Sequence, residues 1–144
     1  MLCVRMMASS APWLTRGRGV DACARALSDA TRERFIAREG NAIAGFLLLN
    51  FNGPFVGYIQ AIFTAEAMRG RGVGSALLDF AEERIFKVSP NAFLCVTSFN
   101  DGARSLYERR GYEVVGVLRD FIVRGYDEIL MRKTIGAIDE FTKR

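Results

Sequence analysis

The chain has 144 residues, of which half are hydrophobic and a quarter are charged, and its formal net charge is +4. This length and balance are ordinary for a globular protein with a buried core, and we expect residues 1–144 to form a single domain. The chain has no histidine and three widely spaced cysteines, which argues against a zinc site, a disulfide framework and any mechanism that needs an imidazole base.

Residues 1–30 are expected to form an atypical N-terminal segment. Residues 21–30 predict a helix, because their apolar side chains fall on one helical face. The segment does not resemble a secretory signal peptide, since Arg5 interrupts its apolar stretch. The longest apolar stretch of the chain, residues 42–49, is far shorter than the roughly 20 residues that span a bilayer. We therefore expect a cytoplasmic protein with no membrane partner.

Three strands are predicted next, over residues 35–38, 42–49 and 55–64. The Asn-Gly-Pro sequence at residues 52–54 is a turn signal between two apolar runs. The second and third strands are therefore expected to form a hairpin.

An amphipathic helix is predicted to follow a glycine-rich turn at residues 69–74 and to end near residue 86. Its acidic residues, Asp79, Glu82 and Glu83, fall largely outside an apolar stripe at helical spacing. The stripe consists of Val73, Ala76, Leu77, Phe80, Ala81 and Ile85.

The rest of the chain predicts a buried strand over residues 93–98, a second helix and two more strands. Asn100 is a favourable N-cap for that helix, and Gly111 is placed to end it. The last two strands cover residues 113–118 and 126–133. The resulting order of elements is helix, three strands, helix, strand, helix and two strands. It predicts an α/β fold in which helices cover the faces of a mixed sheet.

The seven residues 69–75 read Arg-Gly-Arg-Gly-Val-Gly-Ser and have the composition of a phosphate-binding turn. Glycines let a phosphate approach the backbone without obstruction by a Cβ atom. The start of the next helix offers unpaired N–H groups and a partial positive charge, and the two arginines add formal charge. We therefore interpret this segment as a pyrophosphate-binding turn, the alternative being a tight turn that binds nothing.

Two better-known phosphate motifs do not fit the turn. A P-loop needs a lysine, which is absent from residues 69–75. A dinucleotide-binding fingerprint would match Gly70 and Gly72, but Ser75 stands where its third glycine belongs. The acidic residue that this fingerprint requires about 20 positions further on is also missing.

Residues 69–74 resemble motif A of the GNAT superfamily of N-acetyltransferases, [QR]-x-x-G-x-[GA]. Residues 100–112 independently resemble that family's N-x-x-A-x-x-L-Y-x-x-x-G-[FY] segment, at the expected separation. The resemblance covers roughly residues 42–133. It implies a GNAT-like, mostly antiparallel central sheet with a splayed pair of strands, helices on both faces and a shortened N-terminus.

The resemblance also implies that acetyl-CoA is the co-substrate and that its acetyl group passes to a primary amine by direct attack in a ternary complex. Backbone groups of Ile62, Phe63 and Thr64 would hold the pantetheine arm, and the N–H of Ile62 would stabilise the oxyanion. Asn100 would hydrogen-bond the arm near the sulfur. Tyr107 would protonate the departing thiolate, the alternative being a packing role for this aromatic ring. The pyrophosphate would be held by Arg69, Gly70, Arg71, Gly72, Val73, Gly74 and Ser75.

The general base and the substrate pocket stay open at this point. The candidates for the base are Glu66, Asp120, Glu113 or a water held by Tyr58 and Gln60. The candidates for the pocket are Trp13, Tyr58, Phe121 and Arg124, some of which could hold an amine by cation–π contact.

The acceptor would be a small-molecule amine or the amino group of a peptide or protein. A module that binds acetyl-CoA without turnover is the alternative function. Nucleic acid is not an expected partner, because the basic residues are scattered among carboxylates and no nucleic-acid motif is present. No metal is expected. A shortened N-terminus would leave a sheet edge uncovered, which leads to the hypothesis of a homodimer.

Overall fold

The computed structural model describes residues 24–25, 28 and 30–141. Ala24, Arg25 and Ser28, which lie in the predicted first helix, are helical, and the Ser28 hydroxyl donates to the Ala24 carbonyl at 2.7 Å. The remaining predictions for residues 1–23, among them Trp13 as a pocket residue, lie outside the described residues. The described chain divides into two compact units: one holds its residues up to Asn50 and Ile59–Glu83, and the other holds Phe51–Tyr58 and its residues from Arg84 onward.

The strands of the first unit are β1 (Glu33–Glu39), β2 (Ala42–Asn50) and β3 (Tyr58–Thr64), in the sheet order β1-β2-β3. β1 and β2 are antiparallel, with Glu33 opposite Leu49. The first two predicted strands are confirmed, and β1 is longer than predicted. The third begins at Tyr58 rather than at residue 55. Positive φ angles at two glycines before it, 84° at Gly53 and 92° at Gly57, interrupt the extended backbone.

The core of the first unit is built on β2, whose central residues are buried on both faces. Phe46, Leu47, Leu48 and Leu49 are all at most 2% exposed. Such a continuous apolar run is typical of a strand that is covered on both sides. The ring of Phe46 stacks on that of Phe63 in β3, with centroids 5.0 Å apart.

The predicted amphipathic helix is α1, Val73–Ile85, but its buried face was predicted with errors. Ala76 and Phe80 are exposed, and Phe80 keeps 44% of its surface accessible although its ring contacts Phe35 at 4.7 Å. Leu78, which the predicted stripe omitted, is fully buried, and Glu82 is almost fully buried, with 6% of its surface exposed. The apolar positions of α1 fit two overlapping stripes, and packing selected the one centred on Leu78.

The strands of the second unit are β4 (Asn91–Thr97), β5 (Glu113–Leu118) and β6 (Glu128–Thr134). Their sheet order is β4-β6-β5, and β6 is antiparallel to both neighbours. The prediction for β5 is confirmed in both bounds. β6 begins two residues later than predicted. The Gly125 N–H donates to the Asp120 carboxylate at 2.6 Å, which extends the hairpin turn toward β6.

Helix α2 (Asp101–Arg109) confirms both predicted caps. The Asn100 carboxamide oxygen accepts the Ala103 N–H at 3.3 Å. At the other end Gly111 has a φ of 94°, its N–H donates to the Glu108 carbonyl at 3.1 Å, and the Tyr112 N–H donates to the Tyr107 carbonyl at 3.0 Å. This pair of bonds is a Schellman motif. A four-residue helix, α3 (Ile138–Phe141), was not predicted.

The predicted fold class is confirmed over the described part of the chain, which has an α/β fold with six mostly antiparallel strands. The splayed strand pair, the helices on both faces and the single domain stay predictions. Among the residues described, no helix is both long enough and apolar enough to cross a membrane.

Candidate active site

The glycine-rich turn lies between β3 and α1, after a 3-10 turn at Glu66–Met68. Gly70 and Gly72 adopt φ angles of 77° and 80°, which side chains of L-residues rarely allow. A Cβ atom on either glycine would meet no atom within 4 Å. The turn therefore requires glycine for its backbone and leaves open space beside both residues.

The start of α1 completes this turn with backbone donors. The first hydrogen bond of the helix runs from the Ala76 N–H to the Gly72 carbonyl at 2.9 Å. The N–H groups of Val73, Gly74 and Ser75 precede that bond, so they lie in the first turn, where a helix offers no internal acceptor. They also lie at the positive end of the helix dipole, which favours an anion.

Arg71 makes weak contacts with Glu39 and with the Met68 sulfur, which lies 3.7 Å from its Nη1 atom. Its Nη1 atom lies 3.4 Å from the Glu39 carboxylate, and both side chains are 57% exposed. An exposed ion pair of this length contributes little free energy, so an anionic ligand can displace Glu39. Arg69 is exposed, and its N–H donates to the Glu66 carbonyl at 3.3 Å.

The backbone N–H and carbonyl groups of successive β3 residues point to opposite edges of the strand, and these residues include those predicted to bind the pantetheine arm. The Ala65 N–H donates to the Ala44 carbonyl of β2 at 2.8 Å. The Phe63 carbonyl also faces β2, where it would touch a Cβ atom placed on Gly45. Because these directions alternate along a strand, the backbone groups of Ile62 and Thr64 point away from β2.

Asn100 lies in the second unit, where its side chain caps α2. Its carboxamide oxygen is used by the Ala103 N–H, and its own N–H donates to the Thr97 carbonyl at 2.8 Å. The carboxamide NH2 group is the part of the side chain that capping does not use. Asn100 is thus fixed in orientation, with a hydrogen-bond donor to offer a ligand.

Tyr107 lies on the buried face of α2 and is 7% exposed. Its ring packs against that of Tyr112, with centroids 6.0 Å apart. Burial raises the pKa of the Tyr107 hydroxyl to about 12. The hydroxyl therefore keeps its proton throughout the neutral range and has that proton to donate.

The open candidates for the base lie on different elements of the chain. Glu66 is exposed in the 3-10 turn, and Glu113 is exposed on β5. The Asp120 carboxylate accepts the Gly125 N–H within the hairpin turn. The carbonyl oxygen of Gln60 accepts a hydrogen bond from Arg32, which leaves its amide group to donate.

Among the pocket candidates, Phe121 is 55% exposed and Arg124 is exposed. Tyr58 is half-buried and hydrogen-bonds Cys95. Sequence reasoning missed Glu128, the first residue of β6, which is 3% exposed. The sequence signal that could have indicated its burial is its position directly before the apolar residues 129–131 of β6.

Comparison with known proteins gives a consistent set of relatives. Residues 5–112 match the model of the acetyltransferase (GNAT) family. The N-alpha-acetyltransferase RimI of Mycobacterium tuberculosis is 32% identical over 108 residues, which cover 69% of this chain and 65% of that protein. Acetyltransferase Atu2258 of Agrobacterium fabrum is 32% identical over 83 residues, which cover 58% of this chain and 59% of that protein. The chain thus spans less than two thirds of the length of either relative.

The fold agrees with these matches. The crystal structure of an aminoglycoside 6'-N-acetyltransferase complexed with coenzyme A superposes with a TM-score of 0.71 at 16% identity. The superposition covers 94% of this chain and 89% of that one. At this identity the likeness shows a shared fold.

Proposed function

Because the chain belongs to the acetyltransferase (GNAT) family, we propose that it is an N-acetyltransferase that moves the acetyl group of acetyl-CoA to a primary amine. The observation that carries the proposal is the turn before α1. There the backbone of Gly70 and Gly72 leaves open space beside a helix N-terminus, which supports the binding of a pyrophosphate.

The turn offers backbone N–H groups and two arginines to the negatively charged pyrophosphate of acetyl-CoA. The N–H groups of residues 71–75 would hold the pyrophosphate, and Arg71 would exchange its exposed contact with Glu39 for a phosphate oxygen. Arg69 would add a second positive charge. No metal is needed to neutralise the phosphates in this arrangement.

The acyl-transfer step would use backbone groups of β3 together with the side chains of Asn100 and Tyr107. The Ile62 N–H would stabilise the oxyanion as the amine attacks the thioester carbonyl, and Thr64 would hydrogen-bond the pantetheine arm. Phe63 was also expected to bind the arm through its backbone, but its carbonyl faces β2, so Phe63 would contribute through its buried ring, which stacks on Phe46 of β2. Asn100 would donate to the arm near the sulfur, and Tyr107 would protonate the departing thiolate.

Two classes of acceptor fit the relatives. One relative is named an N-alpha-acetyltransferase, and one structural neighbour is named for aminoglycosides. We propose that the acceptor is either the amino group of a peptide or protein or that of a small molecule.

A cytoplasmic location and a homodimer belong to the same proposal. Light scattering at micromolar concentration tests the homodimer, and a monomeric mass would contradict it.

The test is an amine panel monitored by release of free thiol from acetyl-CoA. The panel would contain peptides with free α-amines, polyamines, aminoglycosides and amino acids. The proposal predicts thiol release that depends on one of these amines and saturates with acetyl-CoA. Tight binding of acetyl-CoA without transfer to any amine would instead support the non-catalytic module.

A further inference from the structure

A buried carboxylate in the second unit has no role in the scheme above. Glu128 is the first residue of β6, and it lies opposite Thr97 at the end of β4 and opposite Leu118 at the end of β5. Glu128 and Thr97 are each 3% exposed. A carboxylate is costly to bury even when it is hydrogen-bonded, and an apolar residue at this position would suit the sheet better.

Three other side chains share the surroundings of Glu128. Residues directly opposite each other in a sheet lie on one face, so Thr97 shares a face with Glu128, and so does Cys95 two residues before it. Burial raises the pKa of the Cys95 thiol, a hydrogen bond with Tyr58 acts in the opposite direction, and the charge of Glu128 raises it further. We call Tyr58, Cys95, Thr97 and Glu128 the β4–β6 polar cluster.

The members of the cluster differ in their exposure to solvent. Tyr58 and Cys95 are half-buried, whereas Thr97 and Glu128 are buried. The face of a tyrosine ring attracts cations, and a carboxylate in the same cluster would hold one. A positively charged group therefore suits the cluster better than a neutral or anionic one.

The cluster lies at the same end of β4 as the N-cap of α2. The Thr97 carbonyl accepts the Asn100 N–H at 2.8 Å, and the Ser98 N–H donates to the Asp127 carbonyl at 3.0 Å. Glu128 is thus joined through strand pairing to the segment that fixes Asn100. Asn100 is the residue proposed to bind the coenzyme arm near its sulfur, which is where an acceptor amine must arrive.

We propose that Glu128 binds the acceptor as its primary ammonium ion and takes one proton from it, with Tyr58 and Cys95 forming the entrance of this subsite. The inference rests on the proposed function and names its general base, which sequence reasoning left open.

Glu128 removes one proton from R–NH3+, and the freed lone pair forms the C–N bond to the acetyl carbon. The C–S bond then breaks, and the thiolate takes the Tyr107 proton. The excess proton on nitrogen returns to Tyr107 through water, and Glu128 releases its own proton to solvent. The products are R–NH–acetyl, the free thiol of coenzyme A and one proton.

The first experiment compares Glu128→Gln with Glu140→Gln, which removes an exposed carboxylate from α3. For the best amine of the panel, Glu128→Gln should lower kcat/KM by about 100-fold or more, the scale of general-base catalysis. Its Kd for acetyl-CoA, measured by calorimetry, should stay within about twofold of the unmutated protein, because no coenzyme contact changes. Glu140→Gln should match the unmutated protein in both measurements.

The second experiment needs no turnover. Ligand-observed NMR would compare binding of n-butylammonium and n-butanol to the full chain saturated with coenzyme A. The unmutated protein should prefer the ammonium ion, and Glu128→Gln should lose that preference.

The outcomes separate the two proposals. If no amine is acetylated but the ammonium preference depends on Glu128, the proposed function fails and the subsite stands. If transfer occurs and Glu128→Gln retains it within about threefold, the Glu128 proposal is overturned while the function stands. If Glu128→Gln does not fold, the unmutated protein decides, and equal binding of ammonium and alcohol overturns the proposal.

Discussion

Replacing Gly72 by alanine separates the binding role of the glycine-rich turn from its contribution to stability. Gly72 has a φ of 80°, and a Cβ atom there would meet no atom within 4 Å of the protein. The only cost to the folded protein is therefore the left-handed backbone, about 1–2 kcal/mol for a residue with a side chain. A bound pyrophosphate would meet the new methyl group directly.

The expected loss of affinity follows from the hydrogen bonds at stake. Each hydrogen bond from a backbone N–H to a charged phosphate is worth about 1.5–3 kcal/mol. Losing one of them costs about 2 kcal/mol, which corresponds to about a 30-fold increase in Kd. Calorimetric titration with acetyl-CoA would measure this increase, and urea unfolding would measure the stability of the same sample.

Gly53→Ala is the matched control. Gly53 lies before β3 with a φ of 84°, and a Cβ atom there would also meet no atom within 4 Å. The two variants should therefore lose the same stability, but Gly53→Ala should keep the Kd of the unmutated protein. Unchanged affinity in Gly72→Ala, or an equal loss of affinity in both variants, would refute the assignment of the turn to pyrophosphate binding.

Substitutions at three further positions test Tyr107, Asn100 and Gly57. Tyr107→Phe should lower kcat about 100-fold without changing the Kd for acetyl-CoA, and full turnover in this variant would exclude the acid role. Burial raises the pKa of Tyr107 to about 12, above its ordinary value of 10, so the unfolded chain loses this proton first. The contribution of Tyr107 to the free energy of unfolding should consequently be fully present below pH 10 and fall by about 1.4 kcal/mol per pH unit between about pH 10 and 12. Urea titrations of Tyr107→Phe should not show this pH-dependent loss. Asn100→Asp should keep the cap on α2, because aspartate also accepts the Ala103 N–H, but it should weaken acetyl-CoA binding. Asn100→Ala should weaken binding and also lower the free energy of unfolding by about 1 kcal/mol. Equal affinity for acetyl-CoA in the unmutated protein and both variants would show that Asn100 only caps the helix. Gly57→Ala should cost about 3 kcal/mol in urea unfolding, since its Cβ atom would lie 2.5 Å from the Asn91 carbonyl oxygen at a φ of 92°, and a loss below about 1 kcal/mol would contradict that geometry.

Local sequence signals predicted the parts of the fold that depend on local chemistry. Asn100 and Gly111 marked the ends of α2, because capping depends on residues within one helical turn. The bounds of β5 followed in the same way from its flanking turns. The glycine-rich turn was located because its backbone conformation requires glycine at fixed positions.

Features set by tertiary packing were not predictable in this way. The buried face of α1 centres on Leu78, and only the neighbouring strands decide between overlapping stripes. The contact of Arg71 with Glu39 joins residues 32 positions apart. The burial of Glu128 depends on its strand partners Thr97 and Leu118, which lie on two other strands. These errors and omissions concern which residues meet rather than which elements form.

The central claim is tested most directly by thiol release from acetyl-CoA in the presence of the amine panel, with the acetylated product identified by mass spectrometry. We expect release that requires both the protein and one of the amines, saturates with acetyl-CoA, and matches the acetylated product one to one. Binding of acetyl-CoA with no acetylated product from any amine would contradict it.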